Sequence, residues 1–111
     1  MIVEHRTYML HPGKVPTYLS LYEDEGMPIQ LGYLVQPLGY YVSELGTLNQ
    51  IIHLWGYEDL NDRMCQRNRL KSDPRWMPYV NKILPLIQQQ ESKILTPASF
   101  YTPSAVSYQR R

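Results

Sequence analysis

The sequence predicts an α+β fold in which one four-stranded antiparallel sheet carries helices on one of its faces. Two observations lead to this prediction: the order of the periodic segments along the chain, and the two-sided apolar character of residues 50–57. Alternating segments indicate strands, whereas apolar residues three or four positions apart indicate helices. The resulting order is strand, helix, strand, strand, helix pair, strand. With right-handed crossovers this order gives a ferredoxin-like sandwich whose first and third strands are central neighbours.

The first strand is predicted at residues 2–10, where alternation places Arg6 and Tyr8 on the same face. A turn follows at residues 11–14, because its Pro presets φ and its Gly accepts positive φ. The next apolar residues have helical spacing and predict the buried face of a first helix: Val15, Tyr18, Leu19, Tyr22 and Gly26. Pro28 removes an amide donor and should end or kink this helix.

The second strand is predicted at residues 38–45 and the third at about 50–57, with Gly46-Thr47 in the connection. In the third strand, Ile51, His53, Trp55 and Tyr57 share one face, and Ile52, Leu54 and Gly56 share the other. A strand that is apolar on both faces needs cover on both faces. One domain of 111 residues hardly provides this cover, so we expect a homodimer, or a higher oligomer built from it, whose sheets form a barrel.

Asp59 is predicted to cap a helix that runs to about residue 72. Its apolar stripe is thin (Leu60, Met64, Leu70), and its basic residues are predicted to be solvated (Arg63, Arg67, Arg69, Lys71). Asp73-Pro74 begins the last helix, which Pro85 should kink and whose predicted buried face is Trp76, Val80, Ile83, Leu84 and Ile87. A last strand is predicted at residues 91–95. Residues 1–97 therefore form the predicted domain, and residues 98–111 an arm or a loose tail.

Charge and composition exclude several classes of partner. The net charge of +1 provides no field for nucleic acid or an anionic membrane, and no apolar run is long enough to span a bilayer. Glu4 and Arg6 lie near the start of the sequence, where a signal peptide would need an apolar stretch. The single Cys65 makes no internal disulfide. We therefore expect a cytoplasmic protein that binds neither nucleic acid nor membrane. Ten tyrosines against one phenylalanine suit an interface or a half-polar cavity.

Several short segments, in order, carry a family resemblance. They are Glu4-His5-Arg6-Thr7-Tyr8, Pro12-Gly13-Lys14, Gly46-Thr47-Leu48-Asn49-Gln50, His53-Leu54-Trp55-Gly56-Tyr57, Asp73-Pro74-Arg75-Trp76 and Glu91-Ser92-Lys93-Ile94-Leu95. Through them the chain resembles the NIPSNAP family over residues 1–97. The resemblance implies a dimeric α+β barrel but no agreed chemistry, because the wider barrel group includes cofactor-free oxygenases, lactone isomerases and haem enzymes.

The candidate chemistry centres on the third strand and its neighbour. His53 is a candidate general base, although a buried histidine held by one hydrogen bond is the simpler interpretation. Arg6 is a candidate to bind a ligand carboxylate through its planar fork; an ion pair with Glu4 is the alternative. The remaining candidate ligand-binding residues are polar or aromatic, and each also suits a core or an interface: Tyr8, Tyr41, Asn49, Trp55 and Tyr57.

The predicted function is the binding of a small aromatic or carbonyl compound in a pocket near His53. Two alternatives stay open: a non-catalytic dimeric interaction module, and a cofactor-free oxygenase or isomerase. The three histidines lack the spacing of metal-ligand motifs and the chain has no cysteine pair, so no metal or cofactor site is predicted.

Overall fold

The computed structural model describes residues 1–104. Its strands are Ile2–Leu10 (β1), Pro37–Val42 (β2), Gln50–Tyr57 (β3) and Ile87–Leu95 (β4). They form one antiparallel sheet in the order β2-β3-β1-β4. The predicted α+β fold is confirmed, and so is the central position of the first and third strands. Arg6 lies opposite His53 in the β1–β3 register, which agrees with the prediction that the first and third strands are neighbours.

The helices connect these strands on one side of the sheet. They are Val15–Leu21 (α1), Met27–Gln30 (α2), Leu60–Lys71 (α3) and Trp76–Ile83 (α4). A π-helical turn, Tyr22–Gly26, joins α1 to α2, so the helical path is interrupted rather than ended before Pro28. This agrees with the missing amide donor of that proline, because a widened turn rearranges the hydrogen bonds around it.

The core lies between the sheet and the helices. Ile51, His53, Trp55 and Tyr57 are all buried on this inner face of β3. Glu4, Tyr8 and Leu10 of β1 are buried on the same side. The outer face of the sheet is less covered: Ile52 and Leu54 are half-buried, and Tyr41 is 59% exposed. The predicted second copy on this face remains a prediction.

Several predicted boundaries were wrong. β2 ends at Val42 rather than at residue 45, and β4 begins at Ile87 rather than at residue 91. Ile87 therefore opens a strand instead of extending the last helix. Pro85 lies in a 3₁₀ turn, Leu84–Leu86, where a residue without an amide hydrogen ends α4. Leu84, predicted to be buried, is exposed.

The predicted faces of two helices also need correction. Leu19 of α1 and both Leu60 and Met64 of α3 are exposed, although each belongs to a predicted buried stripe. In α3 the predicted cap is confirmed, because the Asp59 carboxylate accepts a hydrogen bond from the Asp62 amide at 2.8 Å.

The inner face of α3 carries mostly polar side chains beside one apolar residue, Leu70. Leu70 and Gln66 are buried, and the helix presents Arg63 and Arg67 to the sheet. The prediction that these two arginines are solvated was wrong, since both reach the Glu4 carboxylate across the domain. Arg69 and Lys71 are exposed, as predicted.

The segment after β4 is exposed where the structure describes it, with Phe100 93% exposed. Residues 105–111 of the predicted tail lie outside the described residues. Among residues 1–104, no helix is long and apolar enough to cross a membrane.

Candidate functional site

A buried carboxylate holds three arginines at the edge of the core. Glu4 of β1 is fully buried, and its two oxygens accept from Arg6 Nη1 at 3.0 Å, Arg63 Nη2 at 2.8 Å and Arg67 Nε at 3.2 Å. The hydroxyls of Ser92 and Tyr57 donate to the same carboxylate, at 2.6 and 3.2 Å. Strand pairing and helix periodicity explain the convergence: Ser92 is Arg6's register partner on β4, and Arg63 and Arg67 lie one turn apart on α3.

The electrostatics of this cluster favour the charged form of Glu4. Burial raises the pKa of the carboxyl, but the Arg63 hydrogen bond, the charge of Arg67, the Ser92 hydroxyl and the charge of Arg6 together hold the pKa well below its usual range. One carboxylate faces three guanidinium groups, so the cluster carries an excess of positive charge. The Nε of Arg67 donates to Glu4 and to Tyr57, and its buried Nη2 has no partner in the described chain.

This excess charge lies on the wall of a cavity between the sheet, α3 and α4, which we call the arginine–tyrosine cavity. Its volume is about 390 Å³, which lies within the range of small-molecule sites. Polar and aromatic side chains dominate one part of the wall: Arg6, Tyr8, Tyr18, Tyr22, Gln30, Arg63, Arg67, Asn68, Lys71, Trp76, Tyr79 and Gln90. Aliphatic and thioether groups complete it: Met64, Leu70, Val80, Ile83, Leu84 and Ile87.

Hydrogen bonds and ring contacts fix the tyrosines of the cavity. The Tyr8 hydroxyl accepts from Arg6 Nε at 2.8 Å, and the Tyr22 hydroxyl donates to Gln30 Oε1 at 2.6 Å. Tyr18 stacks on Tyr22 with nearly parallel rings, 6.2 Å between centroids. Burial raises the pKa of both Tyr18 and Tyr22 well above the usual value, so their hydroxyls keep their protons at neutral pH.

Gly26, in the π-helical turn, lies very close to the ring of Tyr79. A Cβ atom on Gly26 would lie 2.4 Å from Cζ of the Tyr79 ring, a distance at which the ring must move. Glycine at this position therefore lets Tyr79 pack directly against the helix backbone. The turn that Pro28 accompanies thus helps to shape the cavity wall.

His53 lies beside this cavity but is not part of its wall. It is 2% exposed and surrounded by rings, with centroid distances of 4.7 Å to Tyr22 and 5.5 Å to Tyr8. Burial, together with the charges of Arg6 and Arg67, lowers the pKa of His53 to about 3. The imidazole is therefore neutral at physiological pH and a weak base. Its Nδ1 has no hydrogen-bond partner among the described residues.

A second, more apolar cavity lies between α1 and β2, and we call it the α1–β2 groove. Its volume is about 590 Å³, and His53 and Tyr41 belong to its wall. The rest of the wall is largely apolar or aromatic: Val15, Pro16, Leu19, Ser20, Tyr22, Glu23, Met27, Tyr40, Val42 and Ile51.

The structure therefore separates the candidate residues predicted from the sequence. Arg6 and Tyr8 line the arginine–tyrosine cavity, and the Arg6–Glu4 ion pair is present alongside that position. Trp55 and Tyr57 are core residues that line neither cavity, although Tyr57 supports the arginine cluster through Glu4. Asn49 adopts a positive φ of 62° immediately before β3, and its carbonyl accepts from the Leu10 amide at 2.8 Å.

Sequence reasoning missed Arg67, Arg63 and Gln30 as members of a site, and treated Tyr18 and Tyr22 as core alone. One signal was present for the arginines. A helix whose apolar stripe is too thin to pack needs another way to attach to the sheet, and arginines four residues apart supply it. In residues 1–104 no group of three His, Cys, Asp or Glu side chains is arranged to hold a metal ion.

Comparisons with known proteins agree with this fold. The NIPSNAP family model matches residues 3–102. The chain is 31% identical to a protein NipSnap homolog of Dictyostelium discoideum over 99 residues, which cover 85% of this chain and 41% of that protein. The chain thus spans less than half the length of this curated relative.

Solved structures extend the comparison. A NIPSNAP family protein of unknown function from Agrobacterium tumefaciens has a TM-score of 0.88 and 46% identity, covering 91% of each chain. An antibiotic biosynthesis monooxygenase shares the fold alone, with a TM-score of 0.62 and 12% identity over 88% of this chain and 99% of the other. The family match, the identities and the sheet topology lead to one conclusion: the chain belongs to the NIPSNAP family.

Proposed function

We propose that this protein binds a small aromatic or carbonyl compound in the arginine–tyrosine cavity. The observation that carries the proposal is the combination of volume and wall: about 390 Å³ bounded by tyrosine rings and guanidinium groups. Ligand sites typically combine a mostly aromatic or apolar wall with a few fixed polar groups. Here the polar groups are fixed, because Glu4 and Tyr8 hold Arg6 and a hydrogen bond joins Tyr22 to Gln30.

The structure favours a binding function over a catalytic function in which His53 would be the general base. A general base works best when its pKa lies near the working pH, and that of His53 is lowered to about 3. The side chain is also enclosed by aromatic rings and is not part of the wall of the charged cavity. The alternative function is a cofactor-free oxygenase or isomerase. The similar monooxygenase structure is only 12% identical, so it supports a shared fold and not a shared reaction.

A second candidate function, a non-catalytic dimeric interaction module, is supported by the outer face of the sheet. Ile52, Leu54 and the exposed Tyr41 leave apolar area on the face opposite the helices that the structure describes in residues 1–104. A second copy of the chain packing there would bury this area, and a homodimer is compatible with ligand binding on the inner side. We also propose a cytoplasmic location, which the single exposed Cys65 supports.

A cavity-filling substitution tests the proposed site. Val80 lines the cavity, so Val80→Phe should occupy it, whereas Met77→Phe changes the exposed side of the same helix. We expect thermal shift with a panel of aromatic carboxylates, amides and ketones to detect ligands of the wild-type protein. Those shifts should disappear in Val80→Phe and persist in Met77→Phe. Ligands that bind Val80→Phe as tightly as wild type, or a panel without any binding compound, would contradict the proposal.

A further inference from the structure

We propose that the arginine–tyrosine cavity recognises a carboxylate on its ligand, that Arg67 is the group that receives it, and that the tyrosines hold a planar body. This inference rests on the proposed function, since it assumes that the cavity is the binding site. It adds the chemical class of the ligand, an aromatic carboxylic acid, and it assigns a residue on α3 to its recognition.

The wall of the cavity is positively charged. Arg6, Arg63, Arg67 and Lys71 line it, and no Asp or Glu of the described chain does. Glu4 lies behind this wall and is the carboxylate that the three arginines share. The whole chain has a formal net charge of only +1, so positive charge is concentrated here. A cavity with charge of one sign and walls of low polarity attracts ligands of the opposite charge.

Arg67 uses only some of its hydrogen-bond donors inside the protein. Glu4 and Tyr57 both accept from its Nε, which fixes the plane of the guanidinium. Its Nη2 is buried and has no partner in the described chain. A buried donor without a partner costs stability, and a ligand oxygen would recover that cost. A carboxylate matches the planar fork of a guanidinium better than a neutral carbonyl does.

Of the three arginines, Arg67 alone has a buried terminal nitrogen without a partner in residues 1–104, whereas the buried unpartnered nitrogen of Arg63 is its Nε. Arg6 gives Nε to Tyr8 and Nη1 to Glu4, so two of its nitrogens are already used inside the protein. Arg63 gives Nη2 to Glu4 and has 30% of its side chain exposed at the rim. Arg67 is less exposed, at 18%, and keeps its buried Nη2 available. Arg67 is therefore the best-placed anchor, with the other two arginines contributing charge.

The aromatic wall specifies the rest of the ligand. Ring centroids in the wall lie 6.0 Å apart for Tyr8 and Tyr18 and 5.2 Å apart for Trp76 and Tyr79. Planar apolar groups pack well against such rings. The buried tyrosine hydroxyls and the Gln30 amide offer hydrogen bonds to a carbonyl or hydroxyl on the ring.

A matched pair of compounds tests the charge requirement on the wild-type protein. We would measure the affinity of 2-naphthoate and of its neutral isostere 2-naphthamide by isothermal titration calorimetry at pH 7. We expect the acid to bind at least about tenfold more tightly than the amide, because a charged partner strengthens a hydrogen bond to guanidinium. Equal affinities would overturn the carboxylate inference and leave the cavity proposal intact. Binding of neither compound would count against the proposed function itself.

Two substitutions that remove the same charge from the same helix then test the anchor. Arg67→Gln should abolish the preference for the acid, because it weakens the binding of the acid far more than the binding of the amide. Arg69→Gln, on the exposed side of α3, should keep the preference. A preference that survives in Arg67→Gln, or that is lost equally in Arg69→Gln, would overturn the assignment. Arg67→Lys, which keeps the charge without the fork, should recover only part of the preference. Circular dichroism of each variant verifies its fold, and the wild-type comparison needs no variant.

Discussion

Nη2 of Arg63 on α3 lies 2.8 Å from Oε2 of Glu4 on β1, a contact that joins residues separated by most of the domain. Arg67 reaches the other oxygen of the same carboxylate at 3.2 Å. These ion pairs attach a helix with a thin apolar stripe to the sheet, and they place arginine side chains on the wall of a cavity. The stability of the fold and the charge of the candidate site therefore depend on the same buried group.

Removing the Glu4 charge should be strongly destabilising. Glu4→Gln leaves three arginines without their shared carboxylate in a buried setting, and we expect a loss of about 3–5 kcal/mol in the free energy of unfolding. Urea unfolding followed by circular dichroism measures this loss. Glu44→Gln, in the exposed loop between β2 and β3, is the control and should cost little. Equal effects of the two substitutions would show that the cluster does not hold α3 on the sheet.

Replacing His53 distinguishes packing from ligand chemistry. The structure leads us to expect that His53→Ala costs about 1–3 kcal/mol through a cavity between aromatic rings, with ligand binding in the arginine–tyrosine cavity retained. Thermal unfolding with and without a bound aromatic carboxylate measures both the loss of stability and the retention of ligand binding. Loss of ligand binding at little cost in stability would instead place His53 in the site.

The same residue should give the protein a dependence on pH. The pKa of His53 is lowered to about 3 from an ordinary 6.5. Between pH 6.5 and pH 3, His53 is therefore protonated in the unfolded chain and neutral in the folded protein. Its contribution to stability is complete above pH 6.5 and decreases as the pH falls, by up to about 1.4 kcal/mol per pH unit. The pKa of Glu4 is also lowered, but from 4.5, so its contribution is lost only at still lower pH.

Urea unfolding between pH 6.5 and 5 therefore isolates His53. His53→Gln should remove most of the slope of stability against pH in this range, whereas His11→Gln, in the exposed turn after β1, should not. An unchanged slope in His53→Gln would assign the pH dependence to another group.

The outer face of the sheet should carry a homodimer interface. Light scattering at micromolar concentration should give twice the chain mass of 13.1 kDa, with a total buried area of about 2,000 Å² or more for an obligate dimer. Leu54→Glu on the outer face should shift the protein towards monomer, and Leu48→Glu in the exposed loop should not. A wild-type protein that is monomeric at this concentration would contradict the barrel arrangement.

The C-terminal segment should be dispensable for folding. Residues 99–102 are exposed, and no core pattern continues beyond β4. Deleting residues 99–111 should leave the far-ultraviolet spectrum and the unfolding midpoint nearly unchanged. Insoluble or unfolded truncated protein would show that this segment is structural.

The sequence predicted the fold well because the strands and helices are encoded locally. Alternation in residues 2–10 and 50–57 placed Arg6 and Tyr8 on the inner face, and strand order brought them beside His53. Two predictions failed where the answer depends on distant contacts. Arg63 and Arg67 were predicted to be solvated, because the carboxylate that binds them belongs to Glu4 on β1, far away in the sequence.

Tyr41 shows a different difficulty, the dependence of a strand on its register. Tyr40 pairs with His53 and faces the core, so Tyr41 faces outward. The register shifts between Pro37 and Gly39, and a shift of one residue exchanges the two faces of a strand. Alternation alone does not determine which of two adjacent tyrosines points inward.

A crystal structure of the protein grown with 2-naphthoate would show whether the arginine–tyrosine cavity binds a small aromatic carboxylate through Arg67. We expect ligand density between the sheet, α3 and α4, with a carboxylate oxygen about 2.9 Å from a terminal nitrogen of Arg67. Ligand density confined to the α1–β2 groove beside His53, or a carboxylate directed away from Arg67, would contradict it.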